Sequence, residues 1–145
     1  MNIEEEINLH LNSKCNTTGN LIEKLINGAK KASLFSYSPY SKFAVGSSLL
    51  VDKGDIFLGS NVENSSYGAT MCAERVAIFK AVSSGNSNLL CLCVYNKDIL
   101  PYPCGCCLQV MSEFVGKDFP IILVSENEKE IIYFSDLLGR PFKLT

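Results

Sequence analysis

Apolar positions recur along this chain in two periods, and the switches between them mark out its elements. Ile3, Ile7, Leu9 and Leu11 suggest a short helix, which Asn16-Thr17-Thr18-Gly19 breaks. From Asn20 onward, Leu21, Ile22, Leu25, Ile26 and Ala29 fall at helical spacing. That helix is expected to stop before Ser38-Pro39, because a residue preceding proline avoids the helical region. Residues 43–51 read as a strand, residues 52–55 as a turn, and residues 56–58 as the returning arm of a hairpin. A polar, glycine-bearing loop covers residues 61–70. Residues 72–82 predict a helix ended by Ser83-Ser84-Gly85. The continuous apolar run 89–95 predicts a strand buried on both faces. A loop carrying Pro101 and Pro103 leads into a second helix from Cys104 to about Val115, and strands follow at 120–125 and 131–134.

A hairpin followed by alternating helix and strand gives an α/β fold: a three-layer α-β-α sandwich around a mixed, roughly five-stranded sheet. Helical crossovers favour parallel pairing among its later strands. The 145 residues fit one domain, and 47% hydrophobic residues suffice for a core without disulfide staples.

Charge narrows the function. A net charge of −2 and a pI near 5.4 argue against binding a phosphate backbone, which needs clustered Lys and Arg. Lys30-Lys31 reads as a solvated face. The acidic start Met1-Asn2-Ile3-Glu4-Glu5-Glu6 is unlike a secretory signal, and the run 89–95 is too short to cross a bilayer. A cytoplasmic protein with no membrane partner is therefore expected. In a reducing compartment, spaced cysteines are more often metal ligands or catalytic groups than disulfides, and seven is an odd number.

Those cysteines concentrate at Cys72-Ala73-Glu74-Arg75 and Pro103-Cys104-Gly105-Cys106-Cys107, each where a loop becomes a helix. A helix start carries unsatisfied N–H groups and partial positive charge, which favour thiolate over thiol. Cys104 and Cys107, three apart, share a helix face and can join Cys72 on one zinc ion, leaving a fourth position open as catalytic sites do. Glu74, in the first turn, can reach that position without ligating the metal. Cys106 points elsewhere, Cys91 and Cys93 read as strand core, and His10 as an ordinary surface or packing residue. A closed structural zinc would need Cys106, Cys91 or Cys93 as fourth ligand, and a redox pair would need neither Cys72 nor Glu74.

With these residues in hand, the chain resembles the small, homotetrameric, zinc-dependent cytidine deaminases from about Leu21 to Phe142. Four blocks in order carry the resemblance: Tyr37-Ser38-Pro39-Tyr40-Ser41-Lys42-Phe43-Ala44-Val45-Gly46, Gly59-Ser60-Asn61-Val62-Glu63-Asn64-Ser65-Ser66-Tyr67-Gly68, Cys72-Ala73-Glu74-Arg75, and Pro103-Cys104-Gly105-Cys106-Cys107-Leu108-Gln109. The zinc blocks match the all-cysteine form of the deaminase signature. The resemblance implies hydrolytic deamination of cytidine and deoxycytidine in pyrimidine salvage, with one zinc per subunit and Glu74 as the proton carrier. It further implies that Asn61 and Glu63 bind ribose, that Phe43 stacks on the pyrimidine, and that Ala73 and Glu74 read the base edge. Tyr67 and Phe142 would contribute to a neighbouring subunit's site, and Arg75 would tune the charge of the zinc site. Residues 1–18 stand before the resemblance as an N-terminal, helical extension to a domain at 19–145. Leu108 stands where the family often has arginine, and Leu137-Leu138-Gly139-Arg140-Pro141-Phe142 departs from the usual Leu-Leu-Pro stretch. A deaminase of another aminopyrimidine, such as blasticidin S, shares the zinc blocks but not the reason for Asn61 and Glu63. A polynucleotide deaminase lacks a strand-binding surface here, and a non-enzymatic zinc module predicts bound metal without hydrolysis.

Overall fold

A computed structural model describes residues 1–144. Its elements run α1 (Ile3–Cys15), α2 (Leu21–Ser33), β1 (Val45–Val51), β2 (Ile56–Ser60), α3 (Ala73–Ser83), β3 (Leu89–Asn96), α4 (Gly105–Ser112), β4 (Pro120–Val124), β5 (Lys129–Tyr133) and α5 (Phe134–Leu137). The five strands form one mixed sheet in the order β2-β1-β3-β4-β5. Only β3 and β4, joined through α4, pair in parallel; the other neighbours are antiparallel.

Strand periodicity divides the core in two. Leu49, Val51, Leu92, Val94, Ile121 and Leu123 project to one face, under α3 and α4. Leu50, Cys91, Cys93, Tyr95, Ile122 and Val124 alternate with them and meet α1 and α2 on the other. Both faces of β3 are buried, which explains its unbroken apolar run. Helix α1 is held at both ends of its packing face. Asn8 accepts from the N–H of Leu21 at 2.8 Å, and Glu4 pairs with Lys129 at 2.5 Å.

Strands β1 and β5 depart from the sequence expectation at their boundaries, whereas α2 keeps to it. Strand β1 begins at Val45, so Phe43 belongs to the preceding loop. That loop turns through Lys42 at φ 58°, a left-handed conformation that takes Phe43 out of the strand's line. Helix α2 stops before Ser38-Pro39 as expected, at Ser33, and beyond it Tyr37 donates its N–H to the main-chain carbonyl of Asn61 at 2.9 Å. Strand β5 starts at Lys129 and ends at Tyr133. Phe134 instead opens a single helical turn, where the Asp136 carboxylate accepts from the Tyr133 N–H.

Two glycines set how closely the helices approach the sheet. A Cβ on Gly46 would lie 1.9 Å from the Ala29 carbonyl oxygen of α2, and one on Gly59 would lie 2.3 Å from the Ala73 carbonyl oxygen of α3. Ser47, paired with Gly59 across the hairpin, donates its hydroxyl to that Ala73 carbonyl at 2.7 Å. The first turn of α3 is thus docked on the sheet through its backbone.

Candidate metal centre and active site

Helices α3 and α4 both begin on a cysteine: Cys72 caps the first and Cys104 the second, each in extended backbone. Neither side chain makes a capping bond to the backbone of its own helix, as a serine or aspartate cap would. Both sulfurs are left free for another partner. Cys107, one turn into α4, adds a third. The three Sγ atoms lie within 4.8 Å of one another, with Cys72 and Cys104 3.8 Å apart. Sulfurs about 2.3 Å from one tetrahedral zinc ion would be about 3.8 Å apart, so this donor set fits zinc. Among the described residues no other His, Cys, Asp or Glu joins the cluster. Cys106 is exposed, and Cys91 and Cys93 are buried in the α1–α2 side of the core. Three protein ligands and no fourth is the catalytic pattern.

Hydrogen bonds and charges around the sulfurs set two of them apart: Cys72 is favoured as thiolate, while the bond to Cys72, together with burial, pushes the Cys107 thiol up. A hydrogen bond from Cys107 holds the Cys72 thiol well below its usual value, against burial, with Arg75 and Cys104 adding to the effect. Arg75 donates from Nη2 to the Cys72 sulfur at 3.4 Å. Glu74 is only 5% exposed. Burial, reinforced by the charge of Cys72, pushes its carboxyl up to about 7, opposed by its own N–H at the helix start and by Arg75. Leu108 brings no second cation: its side chain is buried in the core beneath α4. Arg75 is therefore the one basic side chain bonded to the cluster among the described residues.

These groups close one end of a cavity of about 280 Å³. Of the residues singled out in the sequence, it gathers Phe43, Asn61, Glu63, Cys72, Ala73, Glu74 and Cys104. Tyr67 and Phe142 are not brought to it. Tyr67 is 77% exposed, packs edge-to-face on Tyr40 at 6.2 Å, and borders a second hollow that shares Ser41, Glu63 and Thr70 with the first. Phe142 lies on the C-terminal segment, where its carbonyl accepts from the Gln109 side chain at 2.9 Å.

The end away from the sulfurs is built differently. The Asn61 carbonyl oxygen accepts from the Val45 N–H at 3.0 Å and the Ser36 hydroxyl at 2.5 Å, while its amide donates to the Phe43 carbonyl at 2.7 Å. Glu63 accepts from the N–H groups of Tyr40 at 3.0 Å and Ser41 at 3.1 Å, and from the Ser41 hydroxyl. The Ser41 hydroxyl and N–H hold its carboxyl below the usual carboxylate range. Both side chains thus fasten the 38–43 loop that presents Phe43. Ser41, Thr70, Pro101 and Tyr102 also line the cavity and were not singled out from sequence. Pro101 and Tyr102 stand just before Cys104, and that adjacency was the available signal.

A three-cysteine zinc site at two helix tips, with a buried carboxylate beside it in a mixed α/β sheet, defines a hydrolytic centre of the zinc-deaminase class. Comparison with known proteins agrees. The family model described as the cytidine and deoxycytidylate deaminase zinc-binding region matches residues 20–123, and the chain belongs to that family. It is 48% identical over 105 residues to a cytidine deaminase of Sporosarcina psychrophila, covering 72% of this chain and 77% of that one. It is 40% identical over 122 residues to the cytidine deaminase of Halalkalibacterium halodurans, covering 83% and 92%. Among solved structures, cytidine deaminase from Burkholderia pseudomallei superposes with a TM-score of 0.79 at 36% identity, covering 83% of this chain and 98% of that one.

Proposed function

We propose that the chain hydrolyses the 4-amino group of cytidine and deoxycytidine, releasing ammonia and leaving uridine or deoxyuridine. The observation that carries this reading is the pairing of the Cys72–Cys104–Cys107 cluster with the buried Glu74 in one cavity. Cys72, Cys104 and Cys107 would hold one zinc ion, which when bound acts as a Lewis acid and makes water nucleophilic at neutral pH. Glu74 accepts the proton that this water loses and delivers it to ring N3. As oxygen bonds to C4, the carbon becomes tetrahedral. Glu74 then carries the proton of the new C4 hydroxyl to the amino nitrogen, the C4–N bond breaks as the C4 carbonyl forms, and ammonia departs. Ala73 reads the base edge with its backbone, and Phe43 covers the ring face. The remaining hydrogen-bonding capacity of Asn61 and Glu63 serves the sugar, and Arg75 offsets the charge of three thiolates.

The same reading includes a homotetramer in which Tyr67 and Phe142 serve a neighbour's site. Its support is that both are strongly exposed and lie outside their own cavity, while Leu34, Phe35 and Phe79 add exposed apolar surface. Residues 1–18 act as a helical extension that covers the sheet, supported by the family match starting at residue 20. A cytoplasmic place in pyrimidine salvage suits seven free cysteines. No helix among the described residues is long and apolar enough to cross a membrane.

The test is loss of cytidine absorbance with the wild type and with Glu74→Gln, alongside zinc analysis of both. Wild-type turnover and a variant slowed by about 10²–10⁴-fold with its zinc retained are expected. A zinc-replete wild type that leaves cytidine untouched would mark a binding module instead.

A further inference from the structure

Part of the cavity wall comes from the loop between β3 and α4, and the largest side chain it lends is Tyr102. Three features fix that ring. Pro101 and Pro103 flank it, restricting the backbone on both sides. Its N–H donates to the Leu100 carbonyl at 3.1 Å. Its phenol hydroxyl donates to the Glu130 carboxylate of β5. A tyrosine at 54% exposure would ordinarily sample several rotamers; here two separate elements pin it. Tyr102 lines the same cavity as Cys72, Glu74 and Cys104, with Cys104 only two positions further along the chain.

Orientation of the base then follows from the proposed function, on which this step rests. Ring C4 lies at the sulfur cluster and N3 beside Glu74, on the α3 side. The position adjacent to C4 and opposite N3 is C5, which must face the 97–104 loop. We infer that Tyr102, held by Glu130, bounds the C5 edge of the pyrimidine and determines which 5-substituents enter. Tyr102 is a specificity-determining residue that touches substrate. Glu130 acts through it, as a positioning residue. Unsubstituted cytosine nucleosides fit against the ring, whereas a 5-methyl group meets it.

The experiment compares kcat/KM for 5-methylcytidine and cytidine in the wild type, Tyr102→Ala, Tyr102→Phe and Glu130→Ala. The ratio of the two is expected to rise about tenfold in Tyr102→Ala, the usual discrimination for one methyl group in a pocket. Glu130→Ala and Tyr102→Phe, which keep the ring but free it, should move the ratio the same way by a smaller factor. A general loss of stability would lower both substrates together and leave the ratio alone. An unchanged ratio in Tyr102→Ala overturns the inference; should that variant fail to fold, an unchanged ratio in both of the others does so. A wild type inactive on cytidine instead overturns the underlying function, so the two failures are distinguishable.

Discussion

The two ends of the cavity are built on opposite plans. At the sulfur end, Cys72 and Cys104 cap two helices without bonding their backbones, so both sulfurs can turn toward each other. At the sugar end, Asn61 and Glu63 have most of theirs committed to the 36–45 segment. The metal-fitting groups stay clear of the backbone, while recognition groups double as scaffold. Lesions at the first end should therefore strike turnover, and lesions at the second should mix binding with stability.

The largest effect is expected for Cys104→Ser. It removes one of three donors from the zinc-fitting cluster, so zinc content and deamination should both fall to background, read by metal analysis and the ultraviolet assay. A fully metallated, active variant would break the comparison at its stronger end. Next comes Asn61→Ala. It strips partners from the buried Val45 N–H and Phe43 carbonyl, so unfolding should cost about 1–3 kcal/mol less, together with a raised KM for cytidine and zinc unchanged. A KM effect with no change in denaturation midpoint would show that Asn61 serves substrate alone. The smallest effect is expected for Ser41→Ala. Without the hydroxyl donor, the Glu63 carboxyl should titrate at higher pH, closer to an ordinary glutamate, as followed by NMR. A carboxyl with a depressed folded-state pKa lends stability above its unfolded value and loses it as pH falls through the folded one, so Ser41→Ala should narrow that acidic window.

Much of this was readable in the residues, for reasons that differ by element. The helical spacing of Leu21, Ile22, Leu25 and Ala29 and the unbroken run 89–95 mark surfaces the fold buries, and both elements appear where that spacing puts them. The three-residue interval of Cys104 and Cys107 likewise carries geometry, because a helix turns it into one face. Phe43 could not be placed, because its departure from the strand depends on Lys42 in a left-handed turn that Glu63 braces from twenty residues away. The short helix at Phe134–Leu137 is held by the Asp136 capping bond and by the Phe119 and Lys117 carbonyls, which accept from the Phe134 and Ser135 N–H groups, and no local pattern announces those distant partners. Tyr102 escaped notice because its importance lies in a contact with Glu130, and no periodicity links those two positions.

The close seat of α3 on the hairpin has a consequence for how this molecule can change. At its first turn, where Gly59 and the Ser47 hydroxyl meet the Ala73 carbonyl, the aim of Glu74 is set by main chain pressed on main chain. No side chain on Gly59 stands at that contact to be trimmed or swelled. A lineage exploring new substrates would find that wall inelastic. Its freedom to vary lies across the cavity, in the loops, where a single ring can be exchanged without disturbing the carboxylate.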